Sequence, residues 1–511
     1  MEIQFTVDGS QVSVPDDGAS LLEVLRDRLG VRSPKDGCSP QGQCGCCTVW
    51  VDGAPRVACV TPARRVAGRE ITTIAGLDPD LRDRWANAFV ATGASQCGFC
   101  TPGILMRLAA GSAGSTRQSV NNALLAHLCR CTGWRTIFDA ADLAASDLLI
   151  DSSGRDLAAA ARRARLEGGT PQQVGPGIAL GEAGFADDTA PLDALVAVPT
   201  TSGEWVVAET LLEARVAAGK VQGRRTTLEP RWPIDLPPGE WAVSLQTTWT
   251  EPAYLETDAS WCLPGGEPAS PLANGGAFGG KSSSPVQAVA RRLADEHGRA
   301  VRVLMTREDT VRLGPKRPPL AVAARPDGSG VIRAARTPGL TTAIAAAAPN
   351  FDVEEIDIAG PPTSVDIRGA GWLEAAVVAA AAREEAVVRA PSGGEASAHF
   401  DSNGTLAVSV SCGDPLDEIV LRSYCTGAAH MALGLVRSEG IAVDDEGTAH
   451  DLTIRSFGIL RAVDTPEIRI EVASDDGPPV NGSDAVMAAV ALAAWRAEGL
   501  PPRWPTERVQ S

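Results

Sequence analysis

The sequence has no excess of positive charge. Lys and Arg number 46 against 63 Asp and Glu, a formal net charge of -17, whereas a chain that grips a nucleic-acid backbone needs a basic face. It has no run of about 18 apolar residues, the length that crosses a bilayer; the alanine-rich runs at 342–348 and 375–382 are too short. The first residues, Met1-Glu2-Ile3-Gln4-Phe5, hold neither a basic nor an apolar segment, so no secretory leader is read there. These absences make a cytoplasmic protein the expectation, with neither nucleic acid nor a membrane span as partner. In that compartment cysteines serve as ligands more often than as disulfides.

Cysteine is what the chain does have. Nine of its twelve cysteines fall before residue 132, at 38, 44, 46, 47, 59, 97, 100, 129 and 131. The length of 511 residues suits about three domains, and the lopsided cysteine content marks the first part as a module of its own.

Residues 1–15 read as a hairpin. Ile3, Phe5 and Val7 alternate with polar neighbours, Asp8-Gly9-Ser10 turns, and Val12 and Val14 alternate again. Leu21 to Arg26 fit a helix face that Gly30 stops. A hairpin followed by a helix is how a β-grasp domain begins. The loop Cys38-Ser39-Pro40-Gln41-Gly42-Gln43-Cys44-Gly45-Cys46-Cys47 follows, with Cys59 on the returning strand. Its glycines let backbone amides turn toward sulfur. The spacing is similar to a plant-type [2Fe–2S] loop, with the first gap one residue longer and Cys46 as an extra thiol. Cys38, Cys44, Cys47 and Cys59 are the expected ligands; a zinc site, the alternative, finds no histidine nearby.

From about residue 78 the pattern turns helical, through Leu81–Ala91, a helix opened by Pro102, Ser119–Leu128, and a last one near Trp134. Gln96-Cys97-Gly98-Phe99-Cys100-Thr101-Pro102-Gly103 and Leu128-Cys129-Arg130-Cys131-Thr132-Gly133-Trp134 sit at helix ends. A four-helix arrangement would bring their four thiols together.

Those two stretches resemble the iron–sulfur module of the xanthine dehydrogenase/aldehyde oxidase family of molybdenum hydroxylases, over residues 1 to about 145. The resemblance implies two [2Fe–2S] clusters, the second held by Cys97, Cys100, Cys129 and Cys131 beside a molybdopterin that Gln96 hydrogen-bonds. It continues in Gly275-Gly276-Ala277-Phe278-Gly279-Gly280-Lys281, similar to a molybdopterin-contacting loop, and in Arg368-Gly369-Ala370-Gly371, similar to a loop near molybdenum. Gly275, Gly276, Phe278, Gly279, Arg368, Gly369 and Ala370 are thus the implied cofactor contacts. Gly275 to Ser282 also fits the phosphate-binding pattern Gly-x4-Gly-Lys-Ser, but residues 265–274 are not the buried strand that pattern requires. Asp476-Gly477-Pro478-Pro479 resembles the site of the family's catalytic glutamate, which makes Asp476 the implied general base. His430, in an apolar helical run, reads as a core histidine.

The chain also departs from the family. Thr250 stands where the family has a glutamine, only 108 residues separate Arg368 from Asp476, and no Gly-Gln-Gly cofactor loop is present. The expected fold is α+β multidomain: a β-grasp domain at 1–75, a four-helix domain at 76–150, a linker and remnant at 151–235, and a shortened molybdopterin-binding-type domain at 236–511. The expected function is an iron–sulfur electron-transfer subunit. Its partners would be a full-length molybdenum subunit, a flavin subunit or other electron acceptor, and a small-molecule substrate. A self-sufficient small hydroxylase using Asp476 and a non-catalytic scaffold are the alternatives.

Overall fold

The alternation at the N-terminus does form a hairpin. Glu2–Val7 pairs with Ser10–Pro15 so that Ile3 faces Val14 and Phe5 faces Val12. Asp8 and Gly9 make the turn at positive φ, the conformation that matches strand twist. The computed structural model describes residues 1–111, 116–146, 148, 150, 154–220, 226–272, 276–473 and 476–507. The hairpin is the edge of a five-stranded mixed sheet ordered Ser10–Pro15, Glu2–Val7, Glu70–Thr72, Thr48–Val51, Ala54–Val57. Ser20 caps the helical turn Leu21–Glu23 by accepting from the Glu23 amide, and a π-helical turn, Val24–Arg28, completes the grasp.

Four helices follow, Pro79–Thr92, Thr101–Ala109, Arg117–Leu124 and Arg135–Ala145. Asp78 caps the first through the Leu81 amide and Gly93, left-handed, ends it. Proline stands in the first turn of the second, where its missing N–H costs nothing.

The expected boundary at 235 is corrected by a sheet that crosses it. Trp205–Ala208 and Leu195–Pro199 continue into Val301–Leu304 and Ala259–Cys262. Leu195–Pro199 pairs in parallel with Val301–Leu304, and the amphipathic helix Val286–His297 packs against this sheet. Leu195–Pro199 and Trp205–Ala208 lie in the stretch read as linker and remnant, and nothing in its composition says which strands they join. Two further four-stranded sheets run Phe351–Ile356, Gly330–Ala335, Leu320–Ala324, Val243–Gln246 and Val387–Arg389, Glu395–Phe400, Leu406–Ser411, Ile468–Val472. The helices Trp372–Ala382, Glu418–Arg437 and Ser483–Ala497 fill the core between them. Glu418–Arg437 is long and apolar enough to cross a membrane by length and composition, and here it is a buried core helix. The whole is an α+β multidomain fold.

The cysteine-rich part is not a detachable module. Its hydrophobic core runs on into Trp249, Ala253, Leu255, Val311, Ile441, Ile454 and Phe457. Trp134, wholly buried, donates its indole N–H to the Leu460 carbonyl at 3.2 Å.

Candidate functional site

All twelve cysteines are free and buried. The loop that leads into strand Thr48–Val51 turns at Ser39, Gly42 and Gly45, all at positive φ, and so wraps its own sulfurs. Cys38 lies in thiol contact with Cys44 and Cys59, and Cys59 with Cys47. The amides of Gln41 and Gln43 point at the Cys38 sulfur at 3.1 and 3.5 Å, and the Cys59 amide at the Cys47 sulfur at 3.4 Å. Donation from the Cys44 and Cys59 thiols holds Cys38 well below the ordinary thiol range, while Cys44 and Cys59 are driven up. Amides aimed at sulfur in a buried pocket favour thiolate and suit sulfur ligation of iron. The Cys46 sulfur also lies in contact with the Cys44 thiol, and 3.8 Å from the Cys44 carbonyl.

The second set forms where helix ends meet. Cys97 and Cys131 are 3.6 Å apart, sulfur to sulfur, and Cys100 contacts Cys129. The Cys100 thiol, helped by the Thr132 hydroxyl at 3.1 Å, pulls Cys129 down to about 6. Paired thiols in two quartets suit a two-iron centre, each iron taking two sulfurs. Both quartets could therefore hold [2Fe–2S] clusters.

The two sets touch through backbone. The Leu128 amide, next to Cys129, donates to the Cys44 carbonyl at 3.0 Å. A Cβ on Gly103 would meet the Cys46 carbonyl at 2.7 Å, so the first loop lies flush on the helix that carries Cys100. His127 fills the remaining gap over Gly45, its Nε2 3.3 Å from the Thr48 hydroxyl.

Beyond Cys97 and Cys131 lies a cavity of about 180 Å³. Two loops meet there, one through Gly276 and Phe278 and the other through Arg368. Gly276, at positive φ, sits where a Cβ would be 2.8 Å from the Cys97 Cβ, and the Arg368 amide donates to the Phe278 carbonyl at 3.1 Å. Gln96, Gly276, Phe278, Gly279 and Arg368 line the cavity. Gln96 is already occupied, donating to the Cys131 carbonyl at 2.9 Å and the Ser423 hydroxyl at 3.0 Å. Gly369 and Ala370 are buried behind the wall, the Gly369 carbonyl accepting from Arg317 at 2.8 Å. Gly275 lies outside the described residues.

The expectation for Asp476 is corrected. It is exposed and absent from the cavity wall, because its segment runs instead over Gly413, where Gly477 accepts from the Asp414 amide at 2.9 Å. The carboxylates of the cavity are Glu167, Asp366 and Asp484, with Tyr424 and Asn481 beside them. Glu167 sits on helix Leu157–Gly168, in the stretch read as linker, and no sequence signal points to it. Tyr424 and Asp484 lie on elements legible as helices, but helical periodicity does not reveal which face meets the cysteines.

Molybdopterin does not fit this cavity. The group carries phosphate and needs cations and free amides around it, yet the cations nearby are already neutralised. Arg368 pairs with Asp484 at 2.7 Å, Arg317 with Glu374 at 2.7 Å, Arg163 with Glu167 at 3.0 Å, Lys316 with Glu251 at 2.9 Å, and Lys281 with Glu256. The lining itself carries three carboxylates against one arginine. Lys281, turned away onto Glu256 and the Pro271 carbonyl, also leaves the Gly-rich loop without the lysine a phosphate cradle uses.

Residues 73–142 match the family model described as a [2Fe–2S] binding domain. The chain is 41% identical over 143 residues to the aldehyde oxidoreductase of Megalodesulfovibrio gigas, a stretch that covers 26% of this chain and 16% of that protein. It is 38% identical over 144 residues to the nicotine 6-hydroxylase small subunit of Paenarthrobacter nicotinovorans, covering 27% of this chain and 87% of the subunit. In fold the likeness runs further: the solved aldehyde oxidoreductase from Desulfovibrio gigas matches over 99% of both chains, with a TM-score of 0.71 at 15% identity. The sequence likeness lies in the cysteine-bearing part, and the fold likeness extends it to the rest. By the sequence likeness, the chain belongs to the xanthine dehydrogenase/aldehyde oxidase family of molybdenum hydroxylases.

Proposed function

We propose that the chain is the iron–sulfur electron-transfer component of a molybdenum-hydroxylase-type oxidoreductase. Cys38, Cys44, Cys47 and Cys59 hold the first [2Fe–2S] cluster, and Cys97, Cys100, Cys129 and Cys131 the second. Each cluster supplies a one-electron couple when bound. The observation that carries the reading is the pair of buried thiol quartets joined by the Leu128–Cys44 hydrogen bond. The protein holds both quartets dry, aims amides at their sulfurs, and keeps the backbone between them in contact.

Hydroxylation of an aldehyde or N-heterocycle then belongs to a separate, full-length molybdenum subunit, and electrons leave to a flavin subunit or another acceptor. The small subunit of nicotine 6-hydroxylase, 87% of which is matched here, supports a divided assembly. The self-sufficient reading loses its support with Asp476 outside the cavity and the nearby cations already paired. Co-expression with a molybdenum subunit tests the proposal: co-purification and dye reduction by the pair, but not by either chain alone, are expected. A stable pair in which Cys131→Ser leaves dye reduction unchanged would favour the scaffold reading.

A further inference from the structure

The cavity over Cys97 and Cys131 is built, and not for an anion. Its mouth is rimmed by Gly168, Gly169 and Asp366, all exposed, and its walls carry the ring of Phe278 and that of Tyr424. Drug-sized ligands occupy pockets of roughly 300–1,000 Å³, whereas a cavity of about 150 Å³ already takes benzene. At about 180 Å³ this one has room for a single substituted ring.

Its polar groups narrow the choice. Glu167 accepts from Arg163 and from the Gly482 and Ser483 amides at 3.2 and 2.9 Å, and Asp484 is held by Arg368. The Asn481 amide donates to the Leu166 and Glu167 carbonyls at 3.1 and 3.2 Å. Tyr424 differs. The residue is 7% exposed, it stands in the wall among Cys97, Cys131, Glu167 and Arg368, and its hydroxyl makes no hydrogen bond within the described residues. A nearly buried phenol opening on a cavity is a donor awaiting an acceptor. The surrounding carboxylates repel an anionic one.

We infer that this cavity is not a molybdopterin site but a pocket for an uncharged single-ring quinone, whose carbonyl accepts from the Tyr424 hydroxyl. The ring stacks on Phe278 and lies against the Cys97 and Cys131 side of the second quartet. The choice of quinone among uncharged ring acceptors rests on the electron-transfer reading, since only a redox-active occupant has a use beside that quartet.

The test is equilibrium binding to the purified full-length chain. The probe is tetramethyl-1,4-benzoquinone, whose ring positions are blocked against addition of thiols, and benzoate is the anionic ring of similar size. Saturable one-to-one binding of the quinone, no binding of benzoate, and a fivefold or greater loss of quinone affinity in Tyr424→Phe are expected. Equal binding of benzoate, or unchanged quinone affinity in Tyr424→Phe, would overturn the inference. So would molybdenum and released pterin at one per chain in the isolated protein. Iron content measured on the same samples reports the electron-transfer reading separately: iron-replete protein that ignores the quinone defeats only this inference.

Discussion

Gly427 lies flush against the backbone of Cys131: a Cβ on Gly427 would overlap the Cys131 carbonyl oxygen. The core helix Glu418–Arg437 thus packs its bare backbone onto the turn that presents the second quartet. Gly133 faces the same helix, where a Cβ would come 2.6 Å from the Thr426 carbonyl. Replacing a mid-helix glycine with alanine ordinarily stabilises by about 1 kcal/mol. Here Gly427→Ala is expected to destabilise by roughly 3 kcal/mol, through overpacking against main chain that cannot yield. Iron should be lost from the second site first. Denaturant unfolding with iron analysis checks both, and a stabilised, iron-replete variant would refute the contact.

The cysteine assignments separate by site. Cys59→Ser should remove the EPR signal of the first cluster alone, and Cys100→Ser or Cys131→Ser that of the second alone. Cys46→Ser should leave both, because the Cys46 thiol touches that of Cys44, whereas Cys38 and Cys59 each join two members of the quartet. Loss of the first signal in Cys46→Ser would show that the loop's ligands are misassigned.

Much of this site was readable in the sequence, and the reason is local chemistry. Cysteine spacing, the Asp8-Gly9 turn and Pro102 at a helix start are short-range signals, and they placed eight thiols and most nearby elements. The Gly276 and Arg368 loops line one cavity. What stayed hidden depends on distant pairing. The sheet joining Leu195–Pro199 to Val301–Leu304 crosses the expected boundary at 235, and Glu167 reaches the cavity from a helix read as linker. Asp476 misled because position along the chain does not fix which way a loop turns after a strand. The neutralising partners of Arg317, Arg368, Lys281 and Lys316 were equally invisible, and they decide what the cavity can hold.

Arg130, between the two cysteines of its turn, forms a buried pair with Glu439, Nη2 to Oε2 at 2.7 Å, and also donates to the Pro252 carbonyl at 3.2 Å. Removing one partner strands the other charge away from water. Glu439→Leu alone is expected to cost about 3–5 kcal/mol. Arg130→Met combined with Glu439→Leu should cost less than the sum of the singles, a positive coupling that a double-mutant cycle by urea unfolding measures. Additive losses would contradict the pairing.

Acid should weaken the core through His430. Burial, with the Arg130 charge nearby, depresses its pKa to about 4 from the ordinary 6.5, and a ring nitrogen lies 3.0 Å from the Leu460 carbonyl. The unfolded chain binds the proton more readily, so the stabilisation is fully present above about pH 6.5 and fades as pH falls toward 4. Over that window the contribution is about 3 kcal/mol. His430→Gln should flatten this part of the stability–pH curve, measured by urea midpoints at intervals from pH 7 to 4. An unchanged slope would contradict the assignment.

The central claim, two iron clusters in contact within one chain, is tested most directly by iron analysis and EPR of the purified protein after dithionite reduction. Four irons per chain and two distinguishable [2Fe–2S] signals are predicted, two irons for each quartet. Zinc in place of iron, or a single signal with two irons, would contradict it.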